Sequence, residues 1–236
     1  MSDSELSIDA FFNIGPLEVT NTGITTWGIM ATLGLFFWLA TRRLSQTPGK
    51  VQTILEVTVT TIDNAVAEVA PQQAKALTPF IGTLWIFLVI TNLSGLIPGL
   101  HSPTRDLSAT SAMAIVVFLS AHWYGIRAIG IKKYLHHYLR PSPILLPFHL
   151  VSEVTRTVAL AIRLFGNMMS LELAALLILL VAGFLAPVPI LLLHIIEALV
   201  QAYIFGMLAL VYVAGGIQSQ QLKSASIEQN ESKNNE

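Results

Sequence analysis

A chain of 236 residues that is 53% hydrophobic and only 11% charged lies far below the roughly 25% charged content of soluble domains. That excludes an ordinary water-soluble fold and points to an integral membrane protein. Thirteen Lys and Arg against fourteen Asp and Glu give a net charge of −1, without the basic excess that holds nucleic acid, and the absence of cysteine excludes disulfide and thiolate chemistry.

Residues 1–23 are polar and acidic and contain no Lys or Arg, so they do not read as a signal peptide. They are predicted as a short outer tail. Residues 24–40, closed by Arg42 and Arg43, form the first predicted span, within the roughly 17–25 residues that a crossing takes. In 46–70, Val51, Leu55, Ile62, Val66 and Val69 recur near helical spacing, while Gln52, Glu56, Asp63 and Glu68 supply polarity. This pattern predicts an amphipathic helix on the membrane surface or against a partner, with a solvated connecting helix as the alternative.

The second span is predicted at 76–100, with Trp85 inside it and Pro98–Gly99 at its exit; a short polar loop, 101–106, follows. The third covers 107–130 and contains His122. A basic segment with Arg127, Lys132, Lys133 and Arg140 then ends at Pro141 and Pro143. Residues 144–185 are too long for a simple crossing and predict one tilted helix of more than about 30 residues. Pro187 and Pro189 make the turn, 190–214 returns, and the polar stretch 218–236 is predicted to be a disordered tail.

The fold class is therefore an all-α polytopic membrane protein. About five helices cross the membrane, the last two as a long tilted hairpin, and one amphipathic helix lies at the surface. The domain organisation is an outer tail (1–23), a single transmembrane domain (24–217) and a cytoplasmic tail (218–236). Lys and Arg in the short loops set the orientation: Arg42, Arg43, Lys50 and Lys75, then the cluster after the third span, mark the cytoplasmic side. The loop after the second span has only Arg105 beside Asp106. The N-terminus is predicted outside and the C-terminus in the cytoplasm. His136 and His137, in the basic loop, read as a solvated pair rather than a metal site, and no HExxH spacing is present.

The chemistry concentrates in residues 151–201. Arg163 lies between ALAI and LF, and Glu172, His194, Glu197 and Gln201 follow in equally apolar surroundings. An Arg at the centre of a membrane helix costs about 2.5–3.5 kcal/mol on insertion scales, so such residues are functional candidates by default. At about 100° per residue, Arg156, Arg163, Asn167 and Ser170 fall along one stripe, and His194, Glu197 and Gln201 along another. An antiparallel pairing places Arg163 near Gln201, Asn167 near Glu197, and Glu172 near His194. Nine residues separate Arg163 from Glu172, which turns Glu172 toward the opposite face.

A carboxylate, an imidazole and an amide at graded depth can pass a proton between them or hold the waters that do. Arg163 is permanently charged and cannot relay protons. It can attract a carboxylate on another protein and block a direct leak, which implies a second subunit. A stand-alone secondary transporter would need a substrate site and usually inverted repeats, and no internal repeat is visible. An intramembrane enzyme would need a nucleophile and base or metal ligands, and no such set is visible; no cofactor or metal is predicted.

RLFGNMMSLE (163–172) followed by HIIEALVQAYIF (194–205) closely resembles subunit a of bacterial F-type ATP synthases. The matching positions are Arg163, Asn167, Glu172 and Gln201, and PGKVQTILE and TNLSGLIPG (91–99) resemble the family too. The resemblance implies a non-catalytic stator subunit of the bacterial plasma membrane, beside a c-ring of small hairpin subunits that each carry a carboxylate. It also implies peripheral-stalk subunit b and the remaining ATP synthase subunits as partners. It assigns an outer half-channel to Glu172, His194 and Gln201, with Arg163 separating it from an inner one. Glu197, outside the core motif, is predicted to join the same path. Glu153 and Arg156 either line the inner exit or form a partner pair. The coupling ion is expected to be the proton, with sodium as the alternative.

Overall fold

Each apolar run becomes a helix in the computed structural model, which describes residues 10–14, 17–42, 49–97, 102–131, 146–182 and 188–234. A hairpin of β1 (Ala10–Ile14) and β2 (Leu17–Thr20) comes first, antiparallel, with Asn13 opposite Glu18 and Ile14 opposite Leu17. The sequence reading has only a tail there. Then follow α1 (Asn21–Thr41), α2 (Lys50–Val69), α3 (Ala74–Ser94), a single 3-10 turn (Pro103–Arg105), α4 (Leu107–Ile129), α5 (Leu146–Ala182) and α6 (Val188–Asn234). Among the described residues, all of these helices except α2, five in number, are long and apolar enough to cross a membrane. The chain is thus a polytopic helical membrane protein.

Helix ends differ from the expected ones for local reasons. The second span was expected to reach residue 100, yet α3 stops at Ser94. There Ser94 Oγ bonds the Thr91 carbonyl at 2.7 Å, a side chain competing for backbone groups, and Gly95 follows. At the other end α6 continues to Asn234, into the stretch expected to be a disordered tail. No Gly or Pro follows Gly216, so nothing in the backbone stops the helix. The predicted basic loop with Lys132, Lys133, His136, His137 and Arg140, and the turn at Pro187, lie outside the described residues.

The core forms where α3 lies on α6. Leu77, Ile81, Leu84, Trp85 and Leu88 of α3 meet Ala202, Phe205, Ala209, Leu210 and Val213 of α6, and Leu160, Ala161 and Leu164 of α5 complete the cluster. Small residues let the two backbones approach, the usual means of helix association in lipid. At Gly206 the approach is close: a Cβ there would overlap the Trp85 indole. Trp85 Nε1 donates to the Tyr203 carbonyl at 3.3 Å, and the two rings stack at 6.0 Å. The amphipathic helix α2 docks by its C-terminal half: Val66 is buried, and Asp63 accepts a 2.7 Å bond from Thr78 of α3. By contrast α1 buries none of its span.

Candidate functional site

Helix α5 is 37 residues long, and its sequence puts polar groups on two different sides. Arg163 is exposed, between exposed Ile162 and buried Leu164. Among the described residues no ion pair or hydrogen bond involves it. One turn further, Asn167 Nδ2 donates to Gln201 Oε1 of α6 at 2.7 Å. Gln201 is only 1% exposed, and its Nε2 is buried without a partner. Near the other end of the pair, the Arg156 guanidinium lies 4.6 Å from the centre of the Tyr212 ring.

These contacts show α5 and α6 running antiparallel, as predicted, but with different partners. Gln201 bonds Asn167, one turn past Arg163. Helical side chains lean toward the N-terminus of their own helix. On antiparallel neighbours they lean in opposite directions, so a contact joins residues offset along the axis. Counting by equal depth therefore picks partners about one turn away.

Glu172 turns toward the 3-10 turn, where Arg105 Nη1 lies 2.9 Å from its Oε1. His194 is 6% exposed, and its Nε2 lies 3.4 Å from the Asn92 carbonyl of α3. Asn92 in turn donates through Nδ2 to the Ala198 carbonyl at 3.1 Å and accepts from Thr104 Oγ1 at 2.9 Å. Ser102 is 2.7 Å from Thr104 and donates to the Thr91 carbonyl at 2.8 Å. A buried polar network thus joins α3, the turn and α6, and its satisfied bonds fix the imidazole in place.

Sequence reasoning missed Asn92, Ser102, Thr104 and Arg105 as parts of this site. The signal available was the polar run Thr91-Asn92 with Ser94 at the end of an apolar helix. Arg105 had entered only as one charge in a loop count.

At the far end of the bundle, Glu153 Oε2 lies 3.2 Å from His122 Nε2 of α4. This brings together the acid named as a candidate exit residue and the histidine that interrupts the third span. Glu197 is half-buried on α6, with no ion pair or hydrogen bond among the described residues.

The arrangement has two polar clusters at opposite ends of a helix pair. One holds Glu172, Arg105, Asn92 and His194; the other holds Glu153 and His122, with Arg156 on Tyr212 nearby along the pair. Between them stand the Asn167–Gln201 pair and an exposed cation. Carboxylates, imidazoles and amides of this kind can exchange protons or hold the waters that do.

The family model described as ATP synthase A chain matches residues 23–214. The chain is 64% identical over 210 residues to ATP synthase subunit a 2 of Pelobacter propionicus, covering 89% of this chain and 92% of that protein. Identity to ATP synthase subunit a 1 of Hahella chejuensis is 64% over 213 residues, with 90% and 91% covered. For ATP synthase subunit a of Legionella pneumophila it is 56% over 214 residues, with 90% and 93% covered.

Proposed function

The chain belongs to the ATP synthase A chain family, and from that premise we propose that it is the ion-conducting stator subunit of an F-type ATP synthase. Membership makes it a membrane component of the ATP synthase complex. In the finer reading, two offset half-channels carry protons to and from the carboxylates of a rotating c-ring. Glu172, His194, Gln201 and Asn167, with Glu197, serve the outer path, and Glu153 and Arg156 serve the inner exit. The subunit makes and breaks no covalent bond in a substrate. It works beside subunit b and the remaining subunits as a single transmembrane unit, 24–217, in the bacterial plasma membrane. Its N-terminus is outside and its C-terminus is cytoplasmic.

The observation that carries this reading is Arg163: an exposed cation within an apolar membrane helix, one turn from the Asn167–Gln201 amide pair. A nearby opposite charge favours the ionised form of a carboxylate. A ring carboxylate arriving at Arg163 therefore releases its proton toward one path. The guanidinium holds its own protons, so it interrupts a direct wire between the paths. The energy scale is adequate, since one charge crossing 100 mV releases about 2.3 kcal/mol, and several charges can supply one ATP.

The test is ATP-driven acidification of inverted membrane vesicles containing the whole complex, with sodium uptake followed in parallel. Acidification that a protonophore collapses and that Arg163→Ala abolishes is the expected result. An Arg163→Ala complex that assembles and pumps like the wild type would overturn the reading.

A further inference from the structure

The turn at Pro103–Arg105 gathers groups from three helices. Arg105 reaches Glu172 of α5 at 2.9 Å, with the two side chains only 25% and 22% exposed. The preceding Thr104 bonds Asn92 of α3, whose carbonyl lies 3.4 Å from His194 Nε2 of α6. Glu172 and His194 are thus linked through this turn, with a fixed cation at one end of the link.

We propose that Arg105 is a specificity-determining residue of the outer path: its guanidinium fills the cation position beside Glu172, so the carboxylate exchanges protons and does not bind sodium. This rests on the reading above, in which Glu172 and His194 serve that path. A metal cation that sheds its water needs several oxygens in replacement. Here Arg105 Nη1 already engages Glu172 Oε1 at 2.9 Å, which takes from a metal cation an oxygen and the space beside it. The oxygens nearby are engaged as well: Thr91 O accepts from Ser102, and Asn92 Oδ1 accepts from Thr104. A proton needs no shell of ligands, because it moves along donors and acceptors already in place. Ring carboxylates select the ion that rotates; Arg105 acts earlier, on the ion that enters.

The experiment uses inverted vesicles carrying the intact complex. ATP-driven acidification is recorded while sodium chloride replaces potassium chloride at constant ionic strength. Wild type is expected to be indifferent to the exchange. Arg105→Gln exposes the Glu172 carboxylate to sodium, and its acidification is expected to fall by about tenfold in sodium, the scale of one charge contact. Lowering the pH restores it, because protons then outcompete sodium. Should Arg105→Gln leave little assembled complex, Arg105→Met removes the same charge while keeping an extended side chain, and sodium must inhibit it likewise. Arg105→Lys keeps the charge and must stay indifferent.

Sodium-indifferent pumping by Arg105→Gln or Arg105→Met overturns the inference, as does wild-type sodium uptake that survives a protonophore. The two readings fail separately. Loss of pumping in Arg163→Ala together with sodium indifference in Arg105→Gln removes only this inference. Normal pumping by Arg163→Ala removes the function on which it rests.

Discussion

Replacing Gly206 by Ala tests the close contact between α3 and α6. The added Cβ overlaps the Trp85 indole, which is 8% exposed. Overpacking of this kind costs about 1–3 kcal/mol. Moving the ring also breaks the 3.3 Å bond from Trp85 Nε1 to the Tyr203 carbonyl, worth about 1 kcal/mol. The stacking on Tyr203 adds about 0.5–1.5 kcal/mol. Against these, Ala gains about 1 kcal/mol over Gly in helix propensity. The net expectation is a destabilisation of about 1.5–4.5 kcal/mol, which combines those terms. The assay is heat inactivation of the purified complex, run on Gly206→Ala, Trp85→Leu and the double variant. The overlap predicts strong coupling, with the double variant more stable than the sum of the two single losses. Additive losses, or a Gly206→Ala complex as stable as wild type, would refute the packing argument.

The buried amide pair gives a second prediction. Asn167→Leu orphans Gln201 and should destabilise the complex by about 1–3 kcal/mol, whereas Asn167→Leu with Gln201→Leu should regain stability and still conduct poorly; recovery of flux in the double variant would mark the pair as a structural tie only. For the opposite cluster, Glu153→Gln should slow ATP-driven acidification without reducing assembled complex, and His122→Gln should slow it similarly because the two share one contact. Unchanged flux in both would remove that cluster from the exit path.

The spans were legible in the sequence because hydropathy over about 20 residues is a strong signal in lipid. The last hairpin was legible because ionisable groups such as Arg163 and Glu172 stand out in an apolar run. The N-terminal hairpin was not: β1 and β2 are too short to show an alternating pattern over several periods. Partner choice was hidden for a different reason. Spacing along α5 and α6 fixes which side a residue faces, but Glu172 finds Arg105 across a loop that spacing does not reach. His194 finds Asn92 on α3 in the same way. Contacts between distant segments depend on how α3 settles on α6, which is decided by small residues such as Ala202 and Gly206 rather than by the polar groups themselves.

The exposed guanidinium also bears on how such a subunit is kept from acting alone. Facing hydrocarbon, Arg163 costs an unassembled chain about 2.5–3.5 kcal/mol. Docking against an acid-bearing surface at the same depth removes that cost, a bias of roughly a hundredfold. A helix surface with no acid at that depth gains nothing of the kind. The charge that serves conduction in the proposed complex would therefore also act as a proofreading mark for assembly, leaving orphaned subunits strained in the bilayer and open to clearance.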